Sequence, residues 1–319
     1  MEIGFALSSE EHKPLDLVRY AKRAEEIGFD FAMISDHYHP WIDFQGNSPF
    51  VWSVIGAIAA TTERIRLGTG VTAPIMRIHP AIIAQAAATS AAMMPGRFFF
   101  GVGTGEALNE HILGDHWPMI TVRQEMLAEA IDIIRLLWEG DEINYWGNFY
   151  DVENARLYTL PDELPPIYVA ASGPESAELA GEIGDGFIST TADESLIEAF
   201  ESGGGEGKPR YGQVTMCWAK SEEEALDTVY KWWPTSAVPG SLHADLPTPA
   251  HFEDAVKMVK KEDLKKMALG PDPKPHVEKI QAMFDAGFDH VYLHQIGPDQ
   301  EGFFRFYEKE IRPNLKLSK

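Results

Sequence analysis

Apolar positions along this chain follow two rhythms, and the rhythms take turns. Residues 3–7 read as a buried strand. Residues 15–27 repeat apolar side chains at helical spacing (Leu15, Val18, Ala21, Ala24, Ile27) until Gly28 stops them. The apolar run 29–34 predicts a second strand and 51–60 a second helix. Strands at 65–71 and 97–102 alternate with helices at 80–94 and 123–138. The rhythm then breaks at 143–152, where aromatic residues flank Gly147-Asn148 and predict a small hairpin. It resumes with a strand at 166–171, a helix at 177–183 and a strand at 186–190. The glycine-rich 203–207 reads as a flexible link before a strand at 212–218 and a helix at 222–232. A loop-rich stretch from Pro234 to about Pro249 leads into a basic helical piece ending at Lys266. A helix at 276–286, a strand at 290–294 and a helix from Glu301 close the chain.

Eight predicted strands, most followed by a helix, favour a closed parallel (β/α)8 TIM barrel, an α/β fold, over an open sheet. The 319 residues suit one barrel domain spanning 1–319, with insertions at about 139–165 and 234–266. Ligands of parallel barrels sit beyond the carboxyl ends of the strands, so the strand ends are where chemistry is sought. The second strand runs into Ser35-Asp36-His37-Tyr38-His39-Pro40-Trp41, an acid, two imidazoles and an indole together. Thr69, Gly70 and Val71 end the third strand; Thr104, Gly105, Glu106 and Asn109 follow the fourth. Ser172 and Gly173 follow the fifth, Thr190 and Thr191 the sixth. Each has a plainer reading: Asp36 and Glu106 as helix-start carboxylates, Trp41 as core, the glycines as turns. Their recurrence at successive strand ends argues for one shared rim.

Charge and composition narrow the partners. With 49 acids against 27 bases the net charge is −22. This disfavours nucleic acid or an anionic membrane surface as the main partner, since phosphate neutralisation needs clustered Lys and Arg. The lone Cys217 lies in an apolar run and excludes an intramolecular disulfide or thiolate metal cluster. The chain opens straight into a strand and has no apolar run of the ~18 residues that span a bilayer, so a cytoplasmic protein is expected. Gly101-Val-Gly-Thr-Gly105-Glu106 fails the dinucleotide spacing in either register. His37-x-His39 invites a metal, but the fifth and sixth strands end in Ser172, Gly173, Thr190 and Thr191, poor company for one. No G-x-S-x-G elbow exists for a serine hydrolase.

Three stretches carry a resemblance: Ser35–Trp41, Leu67-Gly68-Thr69-Gly70-Val71, and the run from Gly101 to Glu110. Together they resemble the luciferase-like monooxygenase superfamily, and within it the branch that uses the deazaflavin coenzyme F420 and includes F420-dependent glucose-6-phosphate dehydrogenase. The likeness continues through Ala170–Pro174 and 184–188 to 289–294, nearly the whole chain. It implies that His37, Trp41 and Glu106 face the reacting centre. It also implies that Asp36, Thr69, Gly70, Val71, Ala73, Gly105 and Asn109 hold the ring system, with a non-proline cis peptide at Gly70-Val71. Ser172 and Gly173 would meet the cofactor tail's phosphate. The residue types suit alcohol oxidation: histidine ordinarily titrates near neutrality and can accept a hydroxyl proton as hydride leaves carbon. Glu106, if protonated, would act as an acid toward the charge gained by the ring, and the Trp41 N–H would steady the developing oxyanion.

Thr190, Asp193 and Lys265 are the candidates for substrate contact. Sugar-phosphate members of the branch grip phosphate with lysines and an arginine, one lysine following the sixth strand. Asp193 stands there instead, repelling a dianion, with the basic run Lys260, Lys261, Lys265 and Lys266 as the available compensation. A sugar phosphate or another alcohol is the expected small-molecule substrate, and the likeness implies a homodimer. Rival readings are an FMN-dependent monooxygenase of the same superfamily, a metal-dependent barrel hydrolase built on His37 and His39, and a non-catalytic carbohydrate-binding barrel.

Overall fold

The computed structural model describes residues 1–317. Its first strand, Glu2–Leu7, is followed by strands two to four at Phe31–Ile34, Arg66–Thr69 and Phe98–Val102. Strands five to eight are Ile167–Ala170, Gly186–Ser189, Arg210–Cys217 and His290–Gln295. All eight pair in parallel, strand one lying between strands eight and two. Strands six and seven join at Phe187 and Arg210, which closes the ring. The structure is the expected (β/α)8 barrel. Parallel closure places every strand's carboxyl end on one rim.

The strands bury both faces, and this explains their continuous apolar character. Outward residues pack under the helices; Ala84, Ala87, Ala88 and Ala91 are fully or nearly fully buried and let helix Pro80–Met93 lie close against helix Ile120–Trp138. Inward residues form a separate aromatic cluster of Phe31, Met33, Phe99, Tyr168, Ile188, Tyr211 and Tyr292. Tyr211 is its hub, with ring centroids 5.1 Å from Phe31, 5.2 Å from Phe99 and 4.9 Å from Tyr168. The barrel is plugged from within. A ligand must therefore sit above the plug, at the strand ends.

Helix boundaries follow their signals: Gly28 takes the left-handed conformation (φ 86°) that ends helix Pro14–Ile27. The 143–152 region forms the expected hairpin, Ile143–Trp146 paired with Asp151–Ala155. Two expectations need correction. The 203–207 link is less open than expected, because the chain continues from helix Glu194–Phe200 through a wide turn, Glu201–Gly205, kinked at Gly204 (φ 92°), before the turn at 206–207. Its glycines serve close packing: a Cβ on Gly203 would lie 2.0 Å from the Glu178 carbonyl oxygen. The stretch after Pro234 is also more ordered than its Pro and Gly content suggested. Its loop-rich part, 234–249, holds the short helix Gly240–Asp245; the expected basic helical piece is divided into helices Pro249–Val256 and Lys261–Leu264, and a two-residue strand, Ala268–Leu269, then joins strand seven. Cys217 is buried, and burial pushes its thiol up to about 12. Among the described residues no helix is long and apolar enough to cross a membrane.

Candidate active site

Strands two to five deliver their loops to one place. The Gly70–Val71 peptide is cis. Gly70 and Val71 are part-exposed, and Ala73 lies below them, 6% exposed. Loop three touches loop four: a Cβ on Gly105, itself at φ +67°, would come 2.9 Å from the Ala73 Cβ. One on Gly103 would come 2.9 Å from Val71 Cγ2 and 3.6 Å from Ala170 Cβ. A side chain on either glycine would strike a neighbouring loop, so Gly103, itself buried, and Gly105 let the ends of strands three to five pack into one bed of backbone. Next to it a cavity of about 400 Å³ is lined by Thr104, Ala170, Ser172 and Gly173 together with Ile120 and Gln124. A larger hollow of about 480 Å³ lies on the outer flank against helix Glu222–Trp232 and Pro298 and contains none of the strand-end groups.

His37 follows strand two on the same rim of the barrel. Its Nε2 is 3.4 Å from Glu10 Oε1 and its Nδ1 is 3.3 Å from the His39 carbonyl oxygen. Both contacts exceed the usual ~2.9 Å, which leaves the imidazole free to exchange a partner for a ligand. Glu10, just past strand one, is buried and accepts hydrogen bonds from the Ser35 (2.7 Å) and Ser8 (3.0 Å) hydroxyls. Burial opposes its ionisation, but the His37 charge and these donors outweigh it and hold its carboxyl below the usual range. A fixed negative charge therefore faces the imidazole. A second acid–imidazole pair follows, Glu11 with His294 Nε2 at 2.9 Å, Glu11 also accepting from the Gly297 N–H at 2.8 Å. The two imidazoles of His37-x-His39 diverge: His39 Nδ1 is 2.8 Å from the Leu108 carbonyl oxygen, on the opposite side from Glu10.

Glu106 heads the short helix Ala107–Glu110 but its side chain makes no cap hydrogen bond there, so it is not a helix-start carboxylate in function. It accepts instead from Asn109 Nδ2 at 3.3 Å. The Asn109 Oδ1 in turn takes the Tyr38 (2.9 Å) and His39 (3.2 Å) N–H groups. Asn109 thus ties the loop bearing His37 to the loop bearing Glu106. Beneath it Arg77 makes a second tie: one guanidinium nitrogen is 2.9 Å from Asp36 Oδ1, and its Nε is 3.4 Å from Glu110 Oε1. The Arg77 N–H donates to Glu110 Oε2 at 2.9 Å, and the Thr72 hydroxyl donates to Asp36 Oδ2 at 2.8 Å. Two of the side chains expected at the ring are engaged within the protein. Both Asp36 carboxylate oxygens are consumed and its side chain is 0% exposed. Thr69 is buried with its hydroxyl given to the Gly101 carbonyl at 2.6 Å. Both brace the bed from below.

Trp41 forms a wall. Its ring centroid is 5.0 Å from His37, 5.0 Å from His243 and 5.1 Å from Phe252, so the second insertion folds back over the strand-two loop. Burial keeps the His243 pKa below its ordinary value, and its Nε2–H donates to the Thr235 carbonyl at 2.7 Å. The proposed substrate residues are less concentrated. Thr190 and Asp193 are exposed beyond strand six. The Asp193 carboxylate caps helix Glu194–Phe200 through the Ser195 N–H at 2.9 Å and hydroxyl at 2.7 Å. Lys265 is exposed behind helix Lys261–Leu264, which packs on helix Glu222–Trp232. Glu10, Arg77, Glu110 and His243 were not singled out from the sequence. Of these only Glu10 gave a signal, since it follows strand one directly.

Residues 1–290 match the sequence model of the family described as luciferase-like monooxygenase. The chain belongs to that family. A luciferase-like relative named F420-dependent glucose-6-phosphate dehydrogenase, from Microbacterium testaceum (strain StLB037), is 37% identical over 99% of this chain and 98% of its own length. One of the same name from Nocardia farcinica (strain IFM 10152) is also 37% identical, with the same coverage. A solved structure described as an F420-dependent secondary alcohol dehydrogenase in complex with an F420-acetone adduct has TM-score 0.90 and 30% identity, covering 98% of both chains. The tetrahydromethanopterin reductase of Methanopyrus kandleri, at 24% identity and TM-score 0.77, shares the fold.

Proposed function

We propose that this luciferase-like chain is a coenzyme F420-dependent dehydrogenase that oxidises a substrate hydroxyl to a carbonyl. The observation that carries the reading is His37, backed by the Glu10 carboxylate at 3.4 Å and walled by Trp41 at 5.0 Å, on the same rim as a bed of glycine backbone. The residues suit the cofactor. Gly70, Val71 and Gly105 are part-exposed with few side chains between them, and the cavity at Ser172 and Gly173 has room for an anionic tail at the positive end of helix Pro174–Ile183. When bound, F420 supplies a two-electron hydride acceptor. His37 takes the hydroxyl proton, and Glu10 stabilises the imidazolium that results. The Trp41 indole N–H steadies the oxygen as its O–H bond opens, and its ring keeps water from the reacting carbon. Glu106, held by Asn109, would in its protonated form donate to the negative charge that bound F420 gains.

For substrate, an uncharged alcohol is favoured over a sugar phosphate. Arg77 is committed to two carboxylates. Arg123 lies over Trp117 at 4.2 Å, donates to the Pro118 carbonyl and faces Asp245 and Glu106. Glucose 6-phosphate is the second reading, favoured by the names of the relatives at 37% identity. Secondary alcohols should give a kcat/KM at least about tenfold above glucose 6-phosphate, a difference of about 1.4 kcal/mol; the reverse order would restore the sugar phosphate. Carried with this reading are a cytoplasmic location and a homodimer, for which light scattering should give twice the chain mass.

Titrating the purified protein with oxidised deazaflavin and, separately, with FMN tests the cofactor. Saturable deazaflavin binding without FMN binding is expected; FMN binding alone would make the protein a monooxygenase instead. Glu106→Gln should leave deazaflavin affinity within about threefold and lower the single-turnover hydride-transfer rate by about tenfold or more. Stopped-flow reduction at wild-type speed would remove Glu106 from the mechanism.

A further inference from the structure

The mechanism leaves one group of buried charges unused. Asp36, Arg77 and Glu110 come from three successive barrel loops, with side chains 0%, 6% and 1% exposed. Two carboxylates share one guanidinium, so when both are ionised one negative charge is unmatched. Burial works against the Arg77 charge, and Asp36 with Glu110 more than restores it. Asp36 has better geometry, with Arg77 at 2.9 Å and the Thr72 hydroxyl at 2.8 Å, which leaves Glu110 as the surplus acid. Burial raises the Glu110 carboxyl to about 7, with Arg77 holding it back and Asp36 and Glu106 adding to the rise. The remaining ionisable group facing it is the Tyr150 hydroxyl, which is donated to the Ile75 carbonyl at 2.8 Å.

Position connects this acid to the rim. A Cβ on Gly105 would lie 2.9 Å from Glu110 Cγ, so the Glu110 stem runs directly under the glycine bed. Arg77 also reaches the Asp36 carbonyl at 3.3 Å, fixing the peptide that leads into His37. Glu110 already responds to charge at Glu106, the rim carboxylate. Further negative charge placed over the bed acts on it in the same sense.

We infer that Asp36, Arg77 and Glu110 form a proton-linked cradle under the bed, in which Glu110 binds a proton from solvent when negative charge is added at the rim and releases it when that charge leaves. This rests on the deazaflavin reading, since a ring that has accepted a hydride carries more negative charge than the oxidised one. Glu110 is a positioning residue here: it neither touches the reacting atoms nor supplies the transferred proton. The linkage lets one site hold both redox states of its ligand at similar local charge.

The test compares wild type with Glu110→Gln, which keeps the shape and the acceptor for Arg77. In wild type, affinity for reduced deazaflavin should fall from about pH 6 to about pH 8.5 by about tenfold more than in Glu110→Gln, the equivalent of one pKa unit of coupling. The apoprotein gives an independent readout. A carboxyl raised in the folded state contributes stability below the ordinary carboxylate range, and that stability is lost as pH rises through about 7. The unfolding midpoint of wild type should therefore drop between about pH 4.5 and about pH 7 and level off above, while that of Glu110→Gln should lack this drop. Difference infrared spectra should show a protonated carboxyl band at pH 6 that the variant lacks. Identical pH slopes in both proteins, with no such band, overturn the inference. Failure of wild type to bind deazaflavin at any pH overturns the cofactor reading on which it rests.

Discussion

Replacing His37 with alanine should lower the rate of hydride transfer by about 10²–10⁴-fold, the span that general-base catalysis contributes. Deazaflavin affinity should stay within about twofold, because the imidazole is on the same rim as the glycine bed but not part of it. The size of the effect follows from the pairing. The carboxylate of Glu10 is buried, held ionised by Ser35, Ser8 and the His37 charge, and 3.4 Å from Nε2. An imidazole that takes up a proton there gains a charge partner it would lack in water. Glu10→Gln keeps the shape and removes the charge, so it should cost about tenfold in rate. Single-turnover stopped-flow over a pH series checks both variants. A His37→Ala enzyme within about threefold of wild type would show that another group takes the proton.

Replacing Arg77 with methionine should cost about 3–5 kcal/mol of stability, read from urea unfolding, because it strands two carboxylates with side chains 0% and 1% exposed. The desolvation of both acids remains while their shared cation is gone, and protonation can relieve only part of it. Adding Asp36→Asn and Glu110→Gln to Arg77→Met should recover more than half of the loss, since neutral amides no longer need the cation. A cost below about 1 kcal/mol for Arg77→Met, typical of a surface change, would mean that the three groups are not coupled.

The barrel was readable because each strand is a short apolar run closed by a turn, and the strand-end rule then pointed to the loop of His37 and Trp41. The same rule applied to strand one would have reached Glu10. In sequence, though, Ser8-Ser9-Glu10-Glu11-His12 has the composition of a solvated turn. Its burial is made by the strand-two loop, through Ser35 and His37 about 25 residues away. Arg77 was hidden for a related reason. Its partners Asp36 and Glu110 lie 41 and 33 residues off, and no local spacing connects them. His243 sits in a stretch that reads as loop and Phe252 in the helical piece after it, yet both meet Trp41 about two hundred positions earlier. Asp36 is the opposite case: the residue stood out in sequence, but nothing there said that Thr72 and Arg77 would take both of its oxygens. Periodicity reports which face is buried. It carries no record of which distant charge meets which.

The most direct measurement follows a label. A secondary alcohol deuterated at its carbinol carbon is mixed with enzyme and oxidised deazaflavin in ordinary water, and the reduced coenzyme is examined by mass spectrometry. One deuterium per turnover in the deazaflavin, lost in His37→Ala only in rate and not in destination, is the expected result. Deazaflavin that stays oxidised with every alcohol and sugar phosphate offered, or that becomes reduced without the label, would contradict hydride transfer at this rim.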